Sequence, residues 1–131
     1  MYYLIILALL IFTTNCTKNS VDGIESDITL KVGQRTSVDG GNLLVTFKEV
    51  SEDSRCPLGV VCIWMGNGSI ALELQSEDLV EDDVTLNTSL EPNKIVFKNY
   101  EITLKLLEPY PVESEIIDGD DYTVTLVITK I

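Results

Sequence analysis

Histidine is absent from this chain of 131 residues, and its absence excludes several kinds of catalytic and metal site. Histidine is the usual general base of hydrolases and a common zinc ligand. The sequence also contains no Ser-x-x-Lys and no Gly-x-Ser-x-Gly motif. We therefore predict a protein without catalytic residues, cofactor or metal ion. A carboxylate pair or a Ser-Lys arrangement remains possible for an enzyme, but neither has a recognisable spacing in this sequence.

Basic residues are scarce as well. The chain has 9 lysines and arginines against 21 aspartates and glutamates, which gives a formal net charge of -12. Binding to a phosphate backbone requires clustered basic side chains, so nucleic acid is excluded as a partner. Most of the carboxylates are expected to form the solvated face of the domain.

The sequence lacks an apolar run long enough to span a membrane. Residues 2–12 are apolar, but about a dozen residues is short of the roughly twenty that a transmembrane helix needs. Such a run at the N-terminus is typical of the core of a signal peptide. We predict that residues 1–15 form a signal peptide, although no lysine or arginine precedes the apolar run.

A cysteine, Cys16, follows this segment directly, after Thr13, Thr14 and Asn15. The arrangement resembles the lipobox of bacterial lipoproteins, although Asn15 stands where a small residue is usual. The resemblance implies cleavage before Cys16, a diacylglycerol on its thiol and an acyl chain such as palmitate on its amine. It also implies export and anchoring to a bacterial cell membrane, for which we expect the outer membrane. The alternative is a plain secretory signal with Cys16 as an ordinary cysteine.

The chain has only three cysteines, and an odd number in an exported protein needs an explanation. If Cys16 carries lipid, Cys56 and Cys62 remain as a pair. Their spacing of Cys-x5-Cys fits neither a zinc knuckle nor a Cys-x-x-Cys redox motif. In an oxidising compartment we expect these two residues to form a structural disulfide.

After a polar tether over residues 16–26, apolar and polar residues alternate through most of residues 27–131, which is the period of half-buried strands. A tight hairpin turn is predicted at Gly66, Asn67 and Gly68. The pattern predicts a single all-β domain, a β-sandwich of the immunoglobulin type or a similar one, with seven to eight mostly antiparallel strands. A small β-barrel is the second choice. The strands are expected around Ile28, Arg35, Val45, Leu72, Val84, Ile95, Leu104 and Leu126.

The most informative stretch contains a dense motif, formed by Asp53, Arg55, Cys56, Pro57, Cys62, Trp64 and Gly66. Asp53 and Arg55 are two positions apart, so on an extended segment they share a face and can pair. Pro57 restricts the backbone after Cys56. Trp64 lies two positions after Cys62, which predicts an indole packed near the disulfide.

This Asp-Ser-Arg-Cys-Pro-x5-Cys-x-Trp-x-Gly pattern resembles a motif of small, uncharacterised bacterial envelope lipoproteins and secreted proteins. The C-terminal part is similar too, with residues 106–111 and 122–126 matching a Pro-x-Pro turn and a closing strand. The resemblance implies an envelope address and a β-fold. It implies no catalytic residues.

The sequence is consistent with three functions. The first is a non-catalytic binding or structural module that contacts an unidentified envelope protein or a glycan. The second is an inhibitor of a secreted or periplasmic hydrolase, and the third is a carboxylate-based hydrolase. For the first two we expect recognition through a loop formed by Arg55, Leu58, Gly59, Val60 and Val61.

Overall fold

The computed structural model describes residues 25–78 and 81–131, which form eight strands and two single-turn 3-10 helices. The predicted signal peptide, Cys16 and most of the predicted tether lie outside the described residues. Within the described ranges, no helix is long and apolar enough to cross a membrane. The elements in chain order are β1 (Glu25–Lys31), β2 (Arg35–Val38), η1 (Asp39–Gly41), β3 (Leu43–Asp53), β4 (Gly68–Ser76), β5 (Glu81–Asn87), β6 (Lys94–Phe97), β7 (Tyr100–Glu108), η2 (Gly119–Asp121) and β8 (Thr123–Lys130).

The strands form two four-stranded sheets, in the orders β1-β8-β7-β6 and β2-β3-β4-β5. All neighbouring strands are antiparallel. Both sheets stay open at their edges, which confirms the predicted all-β sandwich and its number of strands. β1 begins at Glu25, two residues ahead of the predicted start of the domain at Asp27.

The core lies between the two sheets and consists of alternate residues of the strands. In β4, for example, Ile70, Leu72 and Leu74 are fully buried, whereas Glu73 between them is half-buried. Each fully buried aliphatic side chain stabilises the fold by about 1.5–3 kcal/mol, before the entropic cost of ordering it. The other large and fully buried core residues are Leu30, Leu43, Val45, Phe47, Leu86, Ile102, Val124, Leu126 and Ile128.

β-Bulges interrupt the alternation in two strands. In β7 the pairing with β8 shifts between Leu104 and Leu106, so one extra residue is accommodated there. As a result Leu106 points outward and is exposed, while Leu107 is buried with 3 % exposure. Strict alternation, which would place Leu106 inward, therefore fails at this bulge. β3 has two such shifts before it ends at Asp53.

The sandwich has two distinct ends. At the motif end, β3 ends at Asp53, β4 begins at Gly68, β7 ends at Glu108 and β8 begins at Thr123. At the opposite, entry end, the described chain enters β1 at Glu25. All the bulges lie in strands that run toward the motif end, where they redirect the backbone into the loops.

Candidate functional site

A buried arginine organises the motif end. Arg55 is only 6 % exposed. Its Nε and Nη2 atoms donate to the two carboxylate oxygens of Asp53, at 2.7 and 2.8 Å. Nη1 donates to the carbonyl oxygen of Leu107 at 2.7 Å, and Nη2 also donates to that of Pro109 at 2.9 Å. The predicted ion pair is confirmed, and its bidentate geometry is the strong form of this interaction. The arginine also joins the β3–β4 connection to the end of β7 in the other sheet.

Two tyrosines complete this cluster. The hydroxyl of Tyr122 donates to Oδ2 of Asp53 at 2.8 Å. The ring of Tyr110 lies 5.1 Å from the guanidinium carbon of Arg55, within the range of a cation–π interaction. The Tyr110 hydroxyl donates to the carbonyl oxygen of Cys56 at 2.8 Å. We call Asp53, Arg55, Tyr110 and Tyr122 the arginine cluster.

Hydrogen bonding and burial shift two pKa values in the arginine cluster. Burial raises the pKa of the Asp53 carboxyl, but hydrogen bonds from Arg55 and Tyr122 outweigh burial and hold this pKa below its ordinary value. Burial, together with the hydrogen bond to Asp53, raises the pKa of Tyr122 to about 12. At neutral pH Asp53 therefore stays ionised and Tyr122 stays protonated. Neither group is tuned to transfer a proton near pH 7.

The motif continues into the disulfide loop, residues 56–65. Cys56 and Cys62 form the predicted disulfide, with their Cα atoms 6.0 Å apart. At the base of the loop the amide of Cys56 donates to the carbonyl of Met65 at 2.9 Å. Inside the loop the amide of Val60 donates to the carbonyl of Pro57 at 3.2 Å. A covalent bond and backbone hydrogen bonds together restrict the loop to few conformations.

A second segment, residues 109–118, lies beside this loop, and we call it the facing segment. The amide of Leu58 donates to the carbonyl of Pro111 at 2.9 Å, and the amide of Glu113 donates to the carbonyl of Leu58 at 3.0 Å. These bonds form an isolated parallel bridge between Leu58 and Val112. The disulfide loop and the facing segment therefore form one continuous surface.

Trp64 is 53 % exposed, so its indole does not belong to the buried core. Its predicted position near the disulfide stays a prediction. That prediction assumed an extended strand, in which residues two apart point to the same side. Between Asp53 and Gly68 the chain forms no regular strand, so the two-residue period does not apply there.

The predicted tight turn at residues 66–68 is also wrong. Asp53 pairs directly with Gly68, so the connection between β3 and β4 is the whole of residues 54–67. Gly66 is nevertheless required, because it has a φ angle of +74° and an added Cβ atom would lie 1.8 Å from the carbonyl oxygen of Ser54. The backbone of the two arms of the connection meets here without room for a side chain.

Asn67 is the residue that sequence reasoning missed. It is 1 % exposed, and its Nδ2 atom donates to Oδ1 of Asn87 at 3.0 Å. Its Oδ1 atom accepts the backbone amides of Ser89 and Leu90, at 3.0 and 3.2 Å. Asn67 therefore joins the turn after β5 to the connection between β3 and β4 by hydrogen bonds. The Asn-Gly dipeptide was its only signal, and that signal favoured a turn instead.

The residues of the predicted recognition loop differ in exposure, and their role in recognition stays a prediction. Arg55 is buried and engaged in the arginine cluster, so it offers little surface to a partner. Leu58, Gly59, Val60 and Val61 are exposed as expected. The exposed apolar surface extends further than predicted and includes Ile63, Trp64 and Met65 of the disulfide loop and Tyr110 and Ile116 of the facing segment.

A cleft of about 300 Å³ adjoins the disulfide loop. It lies between the loop, the turn after β5 and the bulged part of β7. Leu106, which the bulge turns outward, is part of its wall. The apolar surface thus continues from Met65 across the cleft to the sheet.

The facing segment beside this surface carries only negative charge, whereas Lys105 lines the cleft. From Leu106 to Thr129 the sequence contains neither lysine nor arginine, and its carboxylates there are Glu108, Glu113, Glu115, Asp118, Asp120 and Asp121. Glu113 lies against the loop, since a Cβ atom added to Gly59 would lie 3.1 Å from its Oε2 atom. Residues 25–78 and 81–131 contain no group of acidic or cysteine side chains that could hold a metal ion.

Comparison of the chain with protein-family models, curated proteins and solved structures finds no match. The resemblance to envelope lipoproteins therefore stays a prediction that rests on the motif alone.

Proposed function

We propose that this chain is a non-catalytic binding module of the bacterial cell envelope and that the disulfide loop is its contact surface. One observation carries the proposal: Val61 and Ile63 are fully exposed to solvent on a loop that a disulfide and backbone hydrogen bonds hold in place. Scattered exposed apolar residues are ordinary, but a contiguous group of them indicates an interaction site.

The construction of the loop supports this proposal. Association costs free energy because flexible groups must be ordered, and a loop that is already fixed avoids much of that cost. Here Arg55 fixes the base of the connection and the facing segment supports one flank. The buried polar residues of the motif thus hold the apolar residues in position for a partner.

The direction of the chain favours a partner away from the anchoring membrane. The predicted tether joins β1 at Glu25, at the entry end, and β1 reaches the motif end at Lys31. Seven residues of strand separate these two points by roughly 20 Å. A lipid anchor on Cys16 would therefore hold the entry end near the membrane and direct the disulfide loop away from it.

Capture from envelope extracts tests the contact surface. The variant Val61→Ser with Ile63→Ser removes the two fully exposed aliphatic side chains of the disulfide loop, which we call its tip. Val96→Ser removes an exposed valine of β6 at the entry end. We expect wild type and Val96→Ser to retain the same envelope component and the double variant to lose it. Equal capture by all three proteins contradicts the proposal, provided that far-UV circular dichroism shows the same fold.

The anchor has a separate test. If Cys16 is lipidated, mass spectrometry of the protein from the membrane fraction shows a chain that begins at Cys16 and carries acyl groups. Cys16→Ser then shifts the protein to the soluble fraction. A mature chain with an unmodified Cys16 contradicts the anchor but leaves the contact surface in place.

Inhibition of a secreted hydrolase is the second candidate, and the shape of the disulfide loop favours it. A rigid loop with two projecting aliphatic side chains fits the apolar specificity pocket of a protease. Titration of a protease panel with the intact protein tests this role. Inhibition at micromolar concentration that Ile63→Ser abolishes supports it, and activity unchanged across the panel argues against it.

A further inference from the structure

We infer that the partner of this surface is a cationic protein surface in which an apolar pocket is flanked by lysine or arginine side chains. The inference rests on the proposed function and adds the chemistry of the partner. It follows from how apolar and charged side chains are distributed over the disulfide loop and the facing segment.

The apolar part of the surface is aliphatic at its tip. Val61 and Ile63 are fully exposed, and Ile116 of the facing segment is nearly so. The surface also exposes Trp64 and Tyr110, but its most exposed side chains are aliphatic, and these are complementary to the apolar pockets of proteins. The tip therefore favours a protein over a glycan.

The edge of the surface is anionic and without compensation. Glu113 adjoins Gly59 of the loop, and Glu115 follows it in the facing segment. Within the described residues neither of them forms an ion pair. The basic residues that pair with carboxylates elsewhere are Arg35, Lys48, Lys94, Lys98, Lys105 and Lys130. Arg55 is neutralised by Asp53, and Lys31 at the end of β1 forms no ion pair in the described residues.

Charge complementarity selects among the remaining occupants. A second copy of this chain would bring two anionic edges together, and the net charge of -12 adds to that repulsion. An anionic lipid surface is repelled for the same reason. A partner with basic residues around an apolar pocket is complementary to both the aliphatic tip and the anionic edge. Electrostatic attraction also accelerates its association.

A peptide-library selection tests the inference without knowledge of the natural partner. The full chain is immobilised and offered a random library of disulfide-constrained peptides at low salt. We expect the selected peptides to combine lysine or arginine with large apolar residues. We also expect their affinity to fall about tenfold between low and high salt, because exposed charges are screened.

Two pairs of variants separate the contributions of the edge and the tip. Glu113→Gln with Glu115→Gln removes two charges from the edge, and Glu81→Gln with Asp82→Asn removes two from β5 at the entry end. We expect the Glu113→Gln, Glu115→Gln variant to bind the selected peptides about three- to tenfold more weakly than wild type. The Glu81→Gln, Asp82→Asn variant should bind them with unchanged affinity. Val61→Ser with Ile63→Ser is expected to weaken them tenfold or more, and Val96→Ser to have no effect.

Each outcome decides between the two levels of the proposal. Peptides that depend on the tip but show no basic enrichment and no effect of the edge charges overturn the cationic partner and keep the binding module. Peptides that bind the tip variant as well as wild type, or no enrichment at all, overturn both. The intact protein is also tested for self-association and for partition into phosphatidylcholine vesicles. If Val61→Ser with Ile63→Ser abolishes either of these, the surface binds a second copy or lipid, and the inference is overturned.

Discussion

Each end of the sandwich is held by an aspartate, a tyrosine and a basic residue, and the two ends differ in which basic residue that is. At the motif end Asp53 accepts hydrogen bonds from Tyr122 and Arg55. At the entry end Asp39 accepts hydrogen bonds from the hydroxyl of Tyr100 at 2.6 Å and from Nζ of Lys130 at 2.9 Å. In each case the aspartate belongs to one sheet or its connections and the tyrosine to the other, so the triad joins the sheets.

The cation makes the difference between them. The Lys130 side chain is 39 % exposed, and in the described residues its ammonium group bonds to Asp39 alone. Arg55 is buried and bonds also to the backbone carbonyls of Leu107 and Pro109. A lysine offers a point charge, whereas the planar arginine can bind a carboxylate and carbonyls at once. Only the arginine therefore orders a loop in addition to joining the sheets.

The largest difference between the ends is expected from Arg55→Ala. Removal of one partner of a buried ion pair leaves Asp53 uncompensated, so we expect the free energy of unfolding to fall by about 3–5 kcal/mol. Arg55→Lys should restore little of it, since lysine cannot reach both carbonyls. Urea unfolding measures both, with Lys130→Ala as the control, for which a smaller loss is expected. Equal losses at the two ends would show that burial of the arginine contributes nothing.

Glycine substitutions compare the backbone of the two ends. Gly66 and Gly40 both have positive φ angles, +74° and +66°, so alanine is strained equally at each. A Cβ atom at Gly40 meets nothing within 4 Å, whereas at Gly66 it would clash with the Ser54 carbonyl. We expect Gly40→Ala to cost about 1 kcal/mol and Gly66→Ala about 2–4 kcal/mol in chemical denaturation. A cost at Gly66 no larger than at Gly40 would mean that the two arms separate freely.

The tyrosines predict an alkaline effect at both ends. The pKa values of Tyr100 and Tyr122 are each raised from 10.0 to about 12, chiefly by burial and then by the neighbouring aspartate. The unfolded chain therefore releases these protons at lower pH than the folded one, and stability that is complete below pH 10 declines between about pH 10 and 12. Urea midpoints measured from pH 9 to 12 should show a shallower decline for Tyr100→Phe and Tyr122→Phe. An unchanged slope in either variant contradicts the shift at that end.

The smallest effect on stability is expected from Trp64→Ala. Because the indole is half exposed, we expect the free energy of unfolding to fall by less than about 1 kcal/mol. Phe97→Ala at the entry end removes a buried ring and should cost about 3–5 kcal/mol. Unfolding followed by far-UV circular dichroism measures both variants. A loss at Trp64 as large as that at Phe97 would place the indole in the core after all.

The strands could be predicted from the sequence because their alternation is local. The alternation of β4 is visible in its own sequence, at Ile70, Leu72 and Leu74. The bulge that exposes Leu106 depends instead on how β7 pairs with its partner strand. The ion pair of Asp53 and Arg55 was predictable for the same reason, since the two residues are neighbours. The carbonyl partners of Arg55 lie 52 and 54 residues away and have no side-chain signature. The partners of Asn67 lie at the end of β5 and in the turn after it, so the local Asn-Gly pattern contains no sign of them.

The antiparallel pairing of β1 with β8 has a mechanical consequence. If the protein is anchored ahead of Glu25 and a partner pulls on the disulfide loop, the load runs along the axis of β1. All the pairs from Glu25 with Thr129 to Lys31 with Thr123 then resist sliding together, instead of opening one after another as in a peeled hairpin. A sheet resists this shearing force better than a force that opens its pairs one at a time. The domain is therefore suited to a contact that bears mechanical load.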